Sequence, residues 1–153
     1  MKPKEEDLIG PTTNTSTSLG ERFCQSLPQE QLQQLSPVAL AYLGDAVYEL
    51  HVRIHYLMPP KRSQEYHRLV VAQVRAETQA SHLRSLMPHL NSKELEIVRR
   101  GRNAATRHPK RLTPEIYQQA TSLETLIGYL YLTDYGRLHQ LLQQLQLDPM
   151  LEM

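Results

Sequence analysis

One cysteine, Cys24, occurs in 153 residues. A lone thiol excludes an intramolecular disulfide and any cysteine-built zinc cluster, and it fits a reducing compartment; its simplest role is that of a small buried hydrophobe. Charge excess is missing too, since 17 Lys and Arg stand against 16 Asp and Glu. No global field therefore selects nucleic acid or a membrane surface, and any basic patch has to be local. No stretch reaches the roughly 20 apolar residues that a membrane helix needs. The opening "MKPKEEDLIGPTTNTSTSLG" also lacks the apolar segment of a signal peptide. From these absences we expect a cytoplasmic protein. The opening segment has no hydrophobic period and reads as a disordered leader over residues 1–20, followed by one ordered domain over 21–148 and a flexible tail over 149–153. Internal repeats are absent.

Strand signals are equally scarce, because no segment alternates apolar and polar residues or packs β-branched residues between turns. Helix punctuation is plentiful. Ser36 followed by Pro37 is an N-cap with proline in the first turn, and the helix it opens should run to about Leu57, before Met58-Pro59-Pro60. A second helix is expected from about Ser63 to Pro88. Asn91 and Glu94 have capping-box spacing and open a short helix to Gly101. Thr113-Pro114 repeats the first signal, opening a helix that ends near Thr133, and "RLHQLLQQLQL" forms a last one. The fold class is all-α.

Within "LAYLGDAV", residues 40–47, one carboxylate follows a glycine in an apolar helical run. Leu40, Leu43, Val47, Leu50, Ile54 and Leu57 make one stripe on this helix, and Asp45 falls nearly opposite it. Its own side is also largely apolar, carrying Val38, Ala41, Val52 and Tyr56. A helix apolar on nearly all sides is central or lies at an interface, so Asp45 should be partly desolvated. It then needs a cation, a hydrogen-bond network or a metal ion; an arginine partner would serve as well as a catalytic metal.

Glu124 stands in a similar setting in "TSLETLIGYLYL", residues 121–132, one turn before Gly128. Glycine inside a helix is unfavourable by about 1 kcal/mol relative to alanine, and it often marks close approach of another backbone or a ligand. Glu124 is either a boundary residue or the second acid of a pair, and two such helices packed together could share a divalent ion of the Mg²⁺ or Mn²⁺ kind. Between Glu96 and Glu115 there is no acid, while Arg99, Arg100, Arg102, Arg107, Lys110 and Arg111 crowd the gap alongside Asn103. Such a segment is either a solvated loop or a phosphate-binding surface.

Three stretches together resemble one family. "LAYLGDAVYEL" resembles the signature helix of ribonuclease III nuclease domains, and "LETLIGYLYL" is similar to a later helix of the same domains. "VVAQVRAETQA" and "VRRGRNA" are closer still to the short branch called Mini-ribonuclease III, and the likeness spans roughly Leu35 to Asp134. We expect no double-stranded-RNA-binding domain of the kind that usually follows, since the sequence runs only briefly past the likeness, and such a lack is a mark of that branch.

The resemblance implies a dimeric, all-helical endoribonuclease that cuts double-stranded RNA with Mg²⁺, for which Mn²⁺ can substitute, and that matures the ends of large-subunit (23S) ribosomal RNA precursor. Asp45 and Glu124 match its metal-binding and catalytic acids. Ala41 and Thr121 stand where larger members carry further acids, so more water ligands, or help from Glu49 or Glu65, would complete the coordination. Tyr42 matches an aromatic residue at the dimer contact. Arg99, Arg100, Arg102, Asn103, Arg107 and Lys110 are the candidate RNA contacts. His51 and His55, one turn apart on another side of the helix, are expected at the surface or an interface. The alternatives are a non-catalytic duplex-RNA-binding ribosome-assembly factor and a helical protein-interaction dimer.

Overall fold

The computed structural model describes residues 27–148. The expected leader over 1–20, the tail over 149–153 and Cys24 lie outside the described residues. Among the described residues seven α-helices follow in order: α1 (Gln29–Gln33), α2 (Pro37–His55), α3 (Ser63–Val74), α4 (Ala76–Leu86), α5 (Ser92–Ala104), α6 (Pro114–Thr133) and α7 (Tyr135–Gln144), with a 3₁₀ turn at Met87–His89 after α4. Among the described residues there is no strand, as the sequence led us to expect, and no helix is long and apolar enough to cross a membrane.

The capping signals act as read. Ser36 Oγ accepts from the Ala39 amide, Thr113 Oγ1 accepts from the Ile116 amide, and Asn91 and Glu94 satisfy each other's backbone in a complete capping box. Helix α6 is the centre of the domain, with buried residues nearly all around it, and α2, α4, α5 and α7 pack against it. Its Leu123, Leu126, Ile127 and Leu130 join Tyr48 and Val52 of α2 and Leu138 and Leu141 of α7 in one core. A polar tie lies at the edge: Arg137 of α7 grips the buried Glu94 carboxylate through Nε and Nη2, each at 2.9 Å, and donates to the carbonyl of His89.

Several boundaries differ from the sequence expectation, each for a physical reason. The expected helix over 63–88 is two helices, broken at Arg75, whose backbone is extended at φ −66° and ψ 151°. Side chains cap the carbonyls freed there: Thr78 Oγ1 donates to Ala72 and Gln79 Nε2 to Val74. Helix α5 continues three residues past Gly101, because that glycine is no stop signal. A Cβ on it would lie 2.6 Å from Thr125 Oγ1, so the glycine marks helix contact. Helix α7 starts at Tyr135, ahead of the expected Arg137, because Asp134 Oδ1 accepts from the Arg137 amide and caps it. Helix α2 ends at His55, two residues early, and the short α1 was not anticipated.

The stripe assigned to α2 is corrected most. Leu40 is buried, but Leu50, Ile54 and Leu57 are more than half exposed. The core instead takes Ala41, Tyr48, Val52 and Tyr56, the side that Asp45 shares, because α6 covers that side and the two tyrosine hydroxyls find acceptors in the buried carbonyl of Gln73 and the part-buried carbonyl of Asp148. Helix α2 thus carries two apolar faces, one packed in the domain and one open.

Candidate active site

The site is created where α2 crosses α6. A Cβ placed on Gly44 would lie 1.8 Å from the carbonyl oxygen of Glu124, and one placed on Gly128 would lie 2.0 Å from the carbonyl oxygen of Leu40. Only glycine at both positions lets the two backbones touch. Asp45 follows the first glycine and Glu124 lies one turn before the second, so the crossing that needs the glycines also sets the two acids side by side. Both line one cleft of about 420 Å³, together with Tyr42, Tyr117, Thr106 and Arg107.

Glu124 is half-buried, and burial followed by the charge of Asp45 pushes its carboxyl up to about 7, against a smaller opposing effect of a hydrogen bond from Gln79. No cation is among the groups acting on it. Asp45 lies on the open side, its carboxyl raised by partial burial and then by Glu49. Two carboxylates held together without a positive partner form an electrostatic gap that a hard divalent cation fits, and oxygen donors suit Mg²⁺ or Mn²⁺ better than zinc. Ala41 and Thr121 line the same cleft, so the positions where further acids were missed do face the pair. Among the described residues no group of three or more His, Cys, Asp or Glu gathers around one point.

The other sequence candidates are placed as follows. Glu49 lies one turn from Asp45 and acts on its charge, but its carboxylate is engaged by Arg53 at 2.9 Å. Glu65 is bound by Arg68 on the exposed face of α3 and is not part of the cleft lining. His51, half-buried, lines a separate depression with Leu50, Ile54 and His139, while His55 is exposed. Arg99, Arg100, Arg102 and Asn103 belong to α5 rather than to a loop, and Arg99 is not free of counter-ions, since Glu96 binds it at 2.6 Å. Arg102 and Asn103 line a neighbouring depression with Thr106 and His108. Arg107 alone among the six RNA-contact candidates lines the acid cleft itself; Lys110 lies in the exposed segment beyond.

Gln79 was not singled out from the sequence. A polar residue within a helical run reads as solvent-facing, yet this one is buried and donates to the Val74 carbonyl at the α3–α4 break.

Comparison with known proteins identifies the family. The model of the Ribonuclease III domain matches residues 38–135, a span that holds both acids and both crossing glycines. Proteins named Mini-ribonuclease 3 are similar over most of their length. The one from Synechococcus sp. is 66% identical over 113 residues, covering 74% of this chain and 82% of the relative. That from Synechocystis sp. is 61% identical over 116 residues, covering 76% and 81%. A crystal structure of a Fusobacterium nucleatum protein superposes with a TM-score of 0.68 at 29% identity, covering 74% of this chain and 93% of that one. A glycine-gated helix crossing, a paired-acid cleft and these likenesses together lead to one conclusion: the chain belongs to the ribonuclease III family of endoribonucleases, in its Mini-ribonuclease 3 branch.

Proposed function

We propose that the protein cuts double-stranded RNA by Mg²⁺-dependent phosphodiester hydrolysis, with Asp45 and Glu124 holding the ion and Mn²⁺ able to replace it. The observation that carries this reading is the pairing of the two acids in one cleft without a cation between them. When bound, a divalent ion supplies a water of lowered pKa and neutralises charge on the scissile phosphate. The chain's own residues do the rest. Asp45, at the open side, meets solvent and substrate; Glu124, on the buried side, holds its position through helix packing. Arg107 reaches the cleft and faces the phosphate that enters it, where an unpaired guanidinium offers a planar, two-pronged contact. Arg100, Arg102, Asn103 and Lys110 flank that entry and hold neighbouring phosphates, and Arg99 contributes less because Glu96 already occupies it. A-form RNA offers shape and 2′-hydroxyls more than base edges, so the grip is on backbone and minor groove.

A homodimer completes the reading. Tyr42, Leu50, Ile54 and Leu57 leave an apolar face of α2 open to solvent, with Tyr42 85% exposed. A second copy covering this face about a two-fold axis sets two clefts across one duplex, each cutting one strand. Following the family resemblance, the substrate is the precursor of large-subunit ribosomal RNA in the cytoplasm.

The test uses a labelled RNA duplex, with and without Mg²⁺, and the near-isosteric variant Asp45→Asn. Wild type should cut only with Mg²⁺, and the variant should bind duplex without cutting. Tight binding without cleavage by wild type would identify a non-catalytic RNA-binding module, and no binding would leave only a protein-interaction dimer.

A further inference from the structure

Helix α6 brings one more polar side chain to the acid cleft. Tyr117, Thr121 and Glu124 recur at steps of four and three residues, which puts them on one face of the helix, and all three line the cleft with Asp45 and Arg107. Tyr117 is half-buried. Its hydroxyl makes no hydrogen bond among the described residues, yet it is not one of their buried side-chain atoms left without a partner. The hydroxyl is therefore open to water, and the cleft is where Tyr117 meets water.

Other tyrosines of the domain spend this group on the fold. Tyr48 donates to the carbonyl of Gln73, Tyr56 to that of Asp148 and Tyr66 to that of Arg53. At Tyr117 the ring of phenylalanine would serve the packing as well. Thr106 and Arg107, in the segment after α5, line the same cleft, and their side chains also have no partner among the described residues. Besides its two acids, the cleft thus carries a phenol hydroxyl, a second hydroxyl and a guanidinium, all with hydrogens to donate and no acceptor inside the fold. Seven residues of α6 separate Tyr117 from Glu124, about 10 Å along the axis.

We infer that Tyr117 is a substrate-binding residue whose hydroxyl donates to a backbone phosphate next to the one held at the acids. This rests on the reading of the cleft as the RNA-cutting site. A phosphate fits this part of the cleft because the guanidinium of Arg107 can only donate, and an O–H bond to an anionic oxygen is about twice as strong as a neutral one. The spacing along α6 sets the hydroxyl on a neighbouring phosphate, where no bond changes during cleavage. Such a contact is made equally in bound substrate and transition state, so it acts on KM and not on kcat.

The experiment compares wild type with Tyr117→Phe and with Tyr129→Phe, the latter a tyrosine of the same helix outside the cleft lining. In filter binding of a labelled RNA duplex without Mg²⁺, Tyr117→Phe should bind about 10- to 100-fold more weakly, the range for a hydrogen bond to a charged group. With Mg²⁺ its KM should rise by a similar factor while kcat is kept. A phenol displaces no counter-ion, so the slope of log affinity against log salt should match wild type, whereas Arg107→Gln should reduce it by about one. Thermal unfolding of Tyr117→Phe, and its Mn²⁺ binding by electron paramagnetic resonance, should equal those of wild type, because the hydroxyl has no partner in the fold. Tyr129→Phe should match wild type in every measurement of RNA binding and cleavage. Wild-type duplex affinity in Tyr117→Phe would overturn the inference and leave the acid pair intact. A lower Tm or weaker Mn²⁺ binding would overturn it in favour of a structural role, and a loss of kcat at unchanged KM would move the hydroxyl to the reacting phosphate. Wild type that cuts no duplex in Mg²⁺ would instead remove the reading of the cleft, and this inference with it.

Discussion

Replacing Glu124 with glutamine is expected to stabilise the metal-free protein above neutral pH while ending its activity. The carboxyl is raised from the ordinary 4.5 to about 7, first by burial and then by Asp45. Between those two pH values the unfolded chain has lost a proton that the folded chain still holds, so wild-type stability falls as pH rises through that window. Below it the acid is neutral in both states and carries no penalty. Above it the folded state bears a poorly solvated charge, and at 1.36 kcal/mol per pH decade the full penalty is roughly 3 kcal/mol. Glutamine keeps the shape without the charge, though it must still find hydrogen bonds, so the gain at pH 8 should be about 1–3 kcal/mol. For a domain of this size that corresponds to roughly 3–8 °C in Tm. Thermal unfolding in chelator at pH 5 and pH 8 measures it, and the gain should shrink below about 1 kcal/mol at the lower pH. Added Mg²⁺ should then raise the Tm of wild type and leave that of Glu124→Gln unchanged. A variant less stable than wild type at pH 8, or a difference that does not depend on pH, would refute the account of Glu124 as an uncompensated charge.

Three further outcomes follow from the packing. Gly44→Ala puts a methyl group 1.8 Å from a backbone oxygen that has no freedom to yield, so α2 and α6 must part; a loss of about 3 kcal/mol or more in urea unfolding is expected, together with loss of cleavage by the fraction that still folds. Arg137→Met leaves the buried Glu94 carboxylate without its partner and should lower stability by about 2–3 kcal/mol at pH 7. Since Arg137 holds the Glu94 carboxyl below its ordinary range, that contribution fades as pH falls, and the deficit should narrow in acid denaturation curves. Ile54→Glu, on the open face of α2, should convert dimer to monomer in sedimentation while the monomer unfolds much as before; a persistent dimer would place the contact elsewhere.

What the sequence made legible was local. Ser36, Asn91 and Thr113 announce helices because a cap and the amides it satisfies lie within three residues. The α3–α4 break was hidden because no proline or glycine causes it: Thr78 and Gln79 reach back five or six residues, and polar side chains in a helical run look like a wet face. The two apolar faces of α2 were visible, but not which one α6 would cover, since hydrophobic spacing fixes a face and not its partner. Asp45 and Glu124 stood out as candidates because each acid sits near an otherwise unfavourable helical glycine. Glu65 was named only to fill a thin ligand set, and nothing in its own surroundings directs it to the cleft.

The glycine crossing also explains why the acids stay under electrostatic strain. Two carboxylates on loops would relieve repulsion by moving apart. Here the acids are fixed to helices whose backbones already touch, with the Glu124 carbonyl occupying the space of a side chain that Gly44 lacks. Separation would pull Leu123, Leu126 and Ile127 away from Tyr48 and Val52 and open the centre of the core, at about 25 cal/mol for each Å² of apolar surface exposed to water. Relief therefore comes from outside the fold, by a proton below about pH 7 or by a cation above it. On the proposed ion-holding role, helix packing that holds the two acids together against their charge is the source of the cleft's affinity for a divalent ion.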